Sequence, residues 1–483
     1  MTSNEQPIAH LLARFATDQR ANPALVERFG EDIRGRIVDV LGNSLAAATT
    51  AVFSVTSTVV RTWGGAPRST AIGLNDGVPT ASAAFHNGTL AHALDFDDTH
   101  LPSVLHPSAS VVPAVLATAE AMDATYDAVV AAAAVGIEIT NRLGLAGYDD
   151  SLGNSVFFER GLHATSICGT LGSAVAVAML LRGDHDVIGH AIGIAASMGA
   201  GLLEANRTGG TVKKVHCGWA AHAGTVAAEL AVAGLTGPPT VIEGKFGFLQ
   251  AHCGDRVDLT ALTDNLGTDW TLGDVGFKPY PCNIYTHPLI DAALILRERG
   301  VTADQLDWVE AGVAKPTLRT IAEPAAKKAN PTTGYEAQFS GPYAFAAAML
   351  GGGGLGVSLE DFTDAAAVEP QRRALAARVR MVESDSASAT FPRRISCVLR
   401  YRTQQGQEGE ITIPVNRGFG PRMLTADEHL MKFRSNASTA LPAQQVEALE
   451  KALQRLPQLS MTDLMSGLRQ LAPTHGSPDR KDS

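Results

Sequence analysis

Apolar residues recur at three- and four-residue intervals from Ile8 to about Thr50, with Ile8, Leu11, Leu12 and Phe15 on one helical face. The stretch IRGRIVDVLGNSLAAAT repeats that pattern, so this region reads as core-facing helices. A turn-rich piece, RTWGGAPRSTAIGLNDGVPT, follows, and then small-residue segments: ASAAFHNGTLAHA, SASVVPAVLATAEAM and YDAVVAAAAVGIEITNRLG. In GLHATSICGTLGSAVAVAMLLRG, Gly169 and Gly172 interrupt a helical pattern. A glycine inside a helix costs roughly 1 kcal/mol relative to alanine, which points to helices that cross closely there. The pattern changes near Gly273, where Pro279, Pro281 and Pro288 mark a turning segment that leads into a helix ending at Gly300. Beyond it LDWVEAGVA, RVRMVES and ISCVLRYRTQQGQEGEITIPV alternate or carry β-branched residues, and QQGQEG between two strands predicts a hairpin. ADEHLMKFRSNA and AQQVEALEKALQRL return to helical periodicity.

These elements predict a mainly α fold: a large all-helical domain interrupted by a smaller α+β domain. The expected boundaries are residues 1–272 for the first helical part, 273–408 for the α+β insertion and 409–465 for the helical return. Residues 466–483 read as a disordered polar tail.

Composition narrows the function. Hydrophobic residues make up 45% of the 483 and charged residues 18%, with a formal net charge of −10, which argues against a nucleic-acid surface. The five cysteines, Cys168, Cys217, Cys253, Cys282 and Cys397, form no CxxC pair. Neither a disulfide frame nor a cysteine-ligated cluster is expected, and the thiols suit a reducing, cytoplasmic setting. Charged residues in and around MTSNEQPIAHLLARFATDQR break up any secretory signal. No window is expected to supply the roughly 20 apolar residues of a membrane span.

Against this apolar background, HALDFDDTHLPSVLHP (92–107) is exceptional: Asp95, Asp97 and Asp98 lie among His92, His100 and His106. The stretch can be read as one helix ending before another begins, as a metal site, or as a pocket for acid–base chemistry. No HExxH, EF-hand or zinc spacing supports the metal. Carboxylates and imidazoles in one polar pocket are a means of tuning pKa values for proton transfer. A second concentration of charge, Arg207, Lys213, Lys214 and His216, flanks Gly209–Gly210. Without GxxxxGK[ST] it is a better match for carboxylates than for a nucleotide, or else it is a solvated basic loop. His163 precedes the glycine-bearing helix, where the N-terminal field favours an anion.

Five motifs in order, HALDFDDTHLPSVLHPSASVVPAVLA, RGLHATSICGTLGSA, TVKKVHCGWAAHAG, GFKPYPCNIYTHPLIDA and EAQFSGPYAFAAAML, resemble the MmgE/PrpD family over about residues 8–460. That family includes 2-methylcitrate dehydratases, cis-aconitate decarboxylases and iminodisuccinate epimerases. The resemblance implies a helical domain with an inserted lid domain, a homodimer, and no metal or organic cofactor. It also implies a cleft containing Asp95, Thr99, His106, His163, Lys213, Lys278 and Tyr343.

The residue chemistry agrees with such a cleft. Lys213, Lys278 and Arg207 would neutralise the carboxylates of a small di- or tricarboxylic acid and stabilise enolate-like charge. His106 or His163 would exchange a proton near neutral pH, Tyr343 or the other histidine would protonate a leaving hydroxyl, and Asp95 would orient an imidazole. The expectation is a cofactor-independent lyase, with dehydration of 2-methylcitrate first. Decarboxylation of cis-aconitate, epimerisation, and binding of a polycarboxylate without turnover are the alternatives.

Overall fold

In the computed structural model, residues 6–469 are described, and they form two compact units. The first comprises the chain up to Val275 together with the return from Asn436; the second is Gly276–Ser435. The fold is mainly α, with a small α+β part.

The first unit is built from α1 (Ile8–Gln19), α2 (Pro23–Ala47), α3 (Ala51–Trp63), α4 (Thr80–His92), α5 (Ser108–Met122), α6 (Tyr126–Ala146), α7 (Ala164–Leu180), α8 (His185–Ala195) and α9 (His216–Val232). Local chemistry sets several of their starts. Asn22 accepts the Ala24 N–H and Pro23 opens α2, while Thr125 and Asp184 cap α6 and α8. The expected close crossings are present. A Cβ on Gly172 of α7 would fall 1.9 Å from the Thr140 hydroxyl of α6, and one on Gly218 of α9 would fall 2.3 Å from the Phe85 carbonyl of α4. Only hydrogen at these positions lets the backbones approach so closely.

α6 corrects one expectation, because at 21 residues it is long and apolar enough to cross a bilayer. In this fold it is a core helix, with 89% of its apolar window buried. Its two buried charges pair with each other: Arg142 donates through Nε to Glu138 at 2.6 Å. Arg142 also donates from its guanidinium to the carbonyls of Ala261, Asp264 and Asp269, so one side chain ties down the segment before the second unit.

The second unit holds a four-stranded sheet of β1 (Leu306–Val313), β2 (Val379–Glu383), β3 (Cys397–Thr403) and β4 (Glu408–Ile413), in the order β2-β1-β3-β4. β2 runs parallel to β1; β3 pairs antiparallel with β1 and β4 antiparallel with β3. The expected hairpin is therefore β3–β4. The helices His287–Glu298 and Gly341–Leu350 share its core with the inward face of the sheet.

Two boundaries need correction. A return at residue 409 would cut β4 away from β3, with which it exchanges ladder hydrogen bonds, so the second unit continues to Ser435. The expected tail at 466–483 begins too early: Ser466 ends the helix Met461–Ser466, Leu468 is buried, and Arg469 donates to Glu120 at 2.7 Å. Residues 470–483 lie outside the described residues. The five cysteines are free and buried.

Candidate active site

The first unit gathers four imidazoles from three helices and one loop. His92 ends α4, His106 closes the loop before α5, His163 sits at the N-terminal boundary of α7, and His216 opens α9. Ring centroids are 5.4 Å apart for His92–His106, 5.6 Å for His92–His163 and 5.0 Å for His163–His216.

The loop after α4 is shaped from beneath. The Asp95 N–H donates to the His92 carbonyl, and Asp95 adopts a left-handed φ of 52°, which turns the chain back under the helix end. Asp tolerates this region better than most residues, and such outliers concentrate at functional sites. Asn43 of α2 then holds the Phe96 carbonyl at 3.1 Å, and Arg36 of α2 holds the Asp98 carboxylate at 2.6 Å. Asp98 also accepts the Ser108 N–H at the start of α5. Burial pushes its carboxyl up to about 6 against the pull of Arg36, leaving it ionised at neutral pH. His100 is part of the loop's framework: its Nδ1 lies 2.6 Å from the Ser103 hydroxyl, and burial lowers it to about 3.

Hydrogen-bond partners fix two tautomers. His106 Nδ1 is 2.6 Å from the Asp98 carbonyl, and a carbonyl only accepts, so the ring donates there and a neutral His106 keeps its lone pair on Nε2. The Thr99 hydroxyl lies 3.2 Å from the same nitrogen, and the Thr165 hydroxyl accepts the His106 N–H. His92 Nδ1 is 2.7 Å from the Asp97 carboxylate, which places its proton on Nδ1 as well. His163 and His216 differ, because their Nδ1 atoms face each other at 2.9 Å. His163 is held well below its ordinary value by burial first and then by Lys213, His92, His216 and His106. Burial, His92 and Lys213 lower His216 to about 4. Both rings are therefore neutral at physiological pH.

Among the residues expected from sequence, Asp95, Thr99, His106, His163 and Lys213 belong to this unit, and the Lys213 ammonium lies 3.7 Å from Asp95. The carboxylate that meets the His92 imidazole is that of Asp97. Arg207 is exposed on the short helix Ala205–Thr208. Lys278 and Tyr343 belong to the second unit, and both are buried. Tyr343 is a core residue whose hydroxyl donates to the Asp361 carbonyl at 2.7 Å, and burial raises it to about 12. That bond and the raised value keep the phenol protonated at neutral pH. His92, Asp97 and His216 were not assigned roles from sequence, although all three stand in the charge-rich motifs.

Among the described residues, His92, Asp97 and Cys217 bring ligand-type atoms within 4.8 Å of one another. Their chemistry suits a divalent ion poorly, because burial pushes the Cys217 thiol well above its usual range and a metal ligand must be the thiolate. No ion is assigned there.

Family models for the MmgE/PrpD N-terminal and C-terminal domains match residues 10–259 and 280–458. The chain belongs to the MmgE/PrpD family. It is 30% identical to a human protein named cis-aconitate decarboxylase, over 92% of this chain and 91% of the relative. It is 28% identical to the mouse protein of that name, over 89% and 87%. An Aspergillus terreus cis-aconitate decarboxylase is 30% identical over 47% of this chain and 48% of its own. These MmgE/PrpD relatives are lyases by name, and the N-terminal family match spans all four clustered histidines.

Proposed function

We propose that this chain is a lyase that acts on a small polycarboxylate without an organic cofactor, and that its reaction is the decarboxylation of cis-aconitate. The observation that carries the reading is the meeting of four imidazoles beside the Lys213 ammonium in a buried, family-matched setting. Full-length similarity to proteins named for this reaction supports the substrate. This reverses the order expected from sequence, where dehydration of 2-methylcitrate stood first.

The chemistry needs a stabilised carbanion and one proton. Breaking the bond to the carboxylate on the saturated CH2 arm releases CO2 and leaves the electron pair in an allylic system that extends into the vinylic carboxylate. A fixed ammonium at that carboxylate lowers the barrier, because it is already oriented where charge develops. An imidazole N–H then delivers a proton to the far allylic carbon, giving itaconate. No oxidant or second substrate is required.

The test is incubation in heavy water with cis-aconitate, 2-methylcitrate and iminodisuccinate separately, each followed by proton NMR. Itaconate with one deuterium on its saturated methylene is the expected product. Failure to consume cis-aconitate overturns the reading; new olefinic signals from 2-methylcitrate would establish a dehydratase, and deuterium exchange in iminodisuccinate alone an epimerase.

A further inference from the structure

The four rings of the cluster are not equivalent proton carriers. His92 and His106 each hold a proton on Nδ1, fixed by the Asp97 carboxylate and the Asp98 carbonyl, so in their neutral forms neither has an N–H at Nε2. At His163 and His216 the two Nδ1 atoms are 2.9 Å apart, and two nitrogens at that distance are joined by one proton, because two would collide and none would leave two lone pairs opposed. One ring must then be the Nδ1–H tautomer with a bare Nε2, and the other the Nε2–H tautomer.

We infer that His163 and His216 act as a single proton-relay unit that, with all four clustered imidazoles neutral, carries their only Nε2–H and is therefore the acid of the reaction. This rests on the lyase reading above and names the residue it lacked: His216, which acts through His163. When the shared proton is on His216 Nδ1, His163 carries its own on Nε2 and can deliver it to the substrate carbanion. As it leaves, the shared proton crosses to His163 Nδ1, and His216 Nε2 takes a proton from water. Both rings end neutral with their tautomers exchanged, and the starting pair is restored when His216 Nε2 returns its proton to water, the shared proton crosses back to His216 Nδ1 and His163 Nε2 takes a proton from water.

The surroundings suit this exchange. The His163 N–H is held by the Gly201 carbonyl, and the Ser166 hydroxyl donates to the His216 carbonyl at 2.9 Å, so both backbones are pinned while the rings face each other. The charged and titratable groups that act on the pair are Lys213, His92 and His106. The fixed charge of Lys213 disfavours a doubly protonated pair and keeps one proton between the rings.

The tautomers can be read without substrate, by nitrogen-15 NMR of the full chain labelled at histidine, with His163→Gln and His216→Asn used for assignment. The expected spectrum has His163 and His216 as opposite tautomers and His92 and His106 both as Nδ1–H. If His163 and His216 are the same tautomer, the relay is overturned whether or not the enzyme turns over cis-aconitate. If they are opposite but cis-aconitate is untouched, the substrate assignment fails and the shared proton stands.

Kinetics supply the second arm. His216→Phe is expected to lower kcat on the order of a hundredfold with little change in KM. His216→Asn, whose amide can replace the Nδ1 partner but cannot relay, should recover part of that loss. In mixtures of light and heavy water, kcat should depend on two transferred protons in the parent and on one in His216→Asn. A single-proton dependence in the parent would overturn the relay, since a merely structural His216 leaves that count unchanged.

Discussion

α4 carries two buried histidines six residues apart in sequence, and their surroundings divide scaffold from chemistry. His86 accepts from the Thr56 hydroxyl at Nδ1 (2.9 Å) and donates from Nε2 to the Ile72 carbonyl (3.0 Å). Both nitrogens are thereby committed to neutral partners that hold a single tautomer. His92, at the end of the same helix, is oriented by a carboxylate and has the rings of His106 and His163 beside it, with His216 next beyond. Burial alone does not make a histidine a catalyst. The deciding property is whether its partners can change protonation with it.

The largest effect that would test this contrast is on turnover. His163→Ala is expected to lower kcat by about 10²- to 10⁴-fold, the usual contribution of a positioned acid or base, while the midpoint of urea unfolding moves comparatively little. Activity that survived in a folded His163→Ala protein would remove the cluster from the reaction.

Acid stability sharpens the other half of the comparison. Burial lowers His86 to about 4, against 6.5 for the free side chain. Between those values the unfolded chain binds more protons than the folded one, so stability rises as pH rises from about 4 to 6.5 and is lost on acidification through the same window. The His86 difference corresponds to roughly 3 kcal/mol across that range. Urea midpoints measured at intervals from pH 4 to 7 should show this slope, and His86→Leu should flatten it by about one proton.

At neutral pH the same His86→Leu change has a smaller expected cost. It leaves the Ile72 carbonyl and the Thr56 hydroxyl without their imidazole partner in the core, for a loss of about 1–3 kcal/mol. Turnover per folded molecule should stay near the parental value. A large fall in kcat without a loss of stability would show that the division along α4 is drawn in the wrong place.

Sequence alone could not have drawn that division. The density of Asp and His in residues 92–107 marked a polar pocket, and helical periodicity marked α1, α2 and the small-residue helices around it, because both signals are local. The partner of each histidine is not local: His86 is read by Ile72 and Thr56, and His163 by His216, all set by how helices cross. The same limit explains Asp95 and Asp97, two residues apart in one motif, where a left-handed turn at Asp95 decides which carboxylate reaches His92. Tyr343 was expected in the cleft through the family resemblance, and the Asp361 carbonyl that its hydroxyl meets lies 18 residues further along the chain, where no local signal points to it. The 408 boundary failed because strand pairing, unlike strand propensity, is a relation between segments.

The smallest expected effect concerns the pair Lys213–Asp95. At 3.7 Å, with side chains 26% and 25% exposed, it is an open, loosely made ion pair, unlike the fully buried contact of Arg36 with Asp98 at 2.6 Å. Partly exposed pairs contribute about 0.2–1 kcal/mol, so Asp95→Asn should leave stability nearly unchanged. Its effect on binding has a sign. Asp95 competes with a substrate carboxylate for the Lys213 ammonium, and removing the competing charge should lower KM by up to about fivefold, the equivalent of that same 1 kcal/mol. Added salt should shrink the difference, since screening weakens partly exposed charges. A rise in KM would mean that Asp95 holds the substrate itself, and the residue would then belong with the histidine cluster rather than with the cation that serves it.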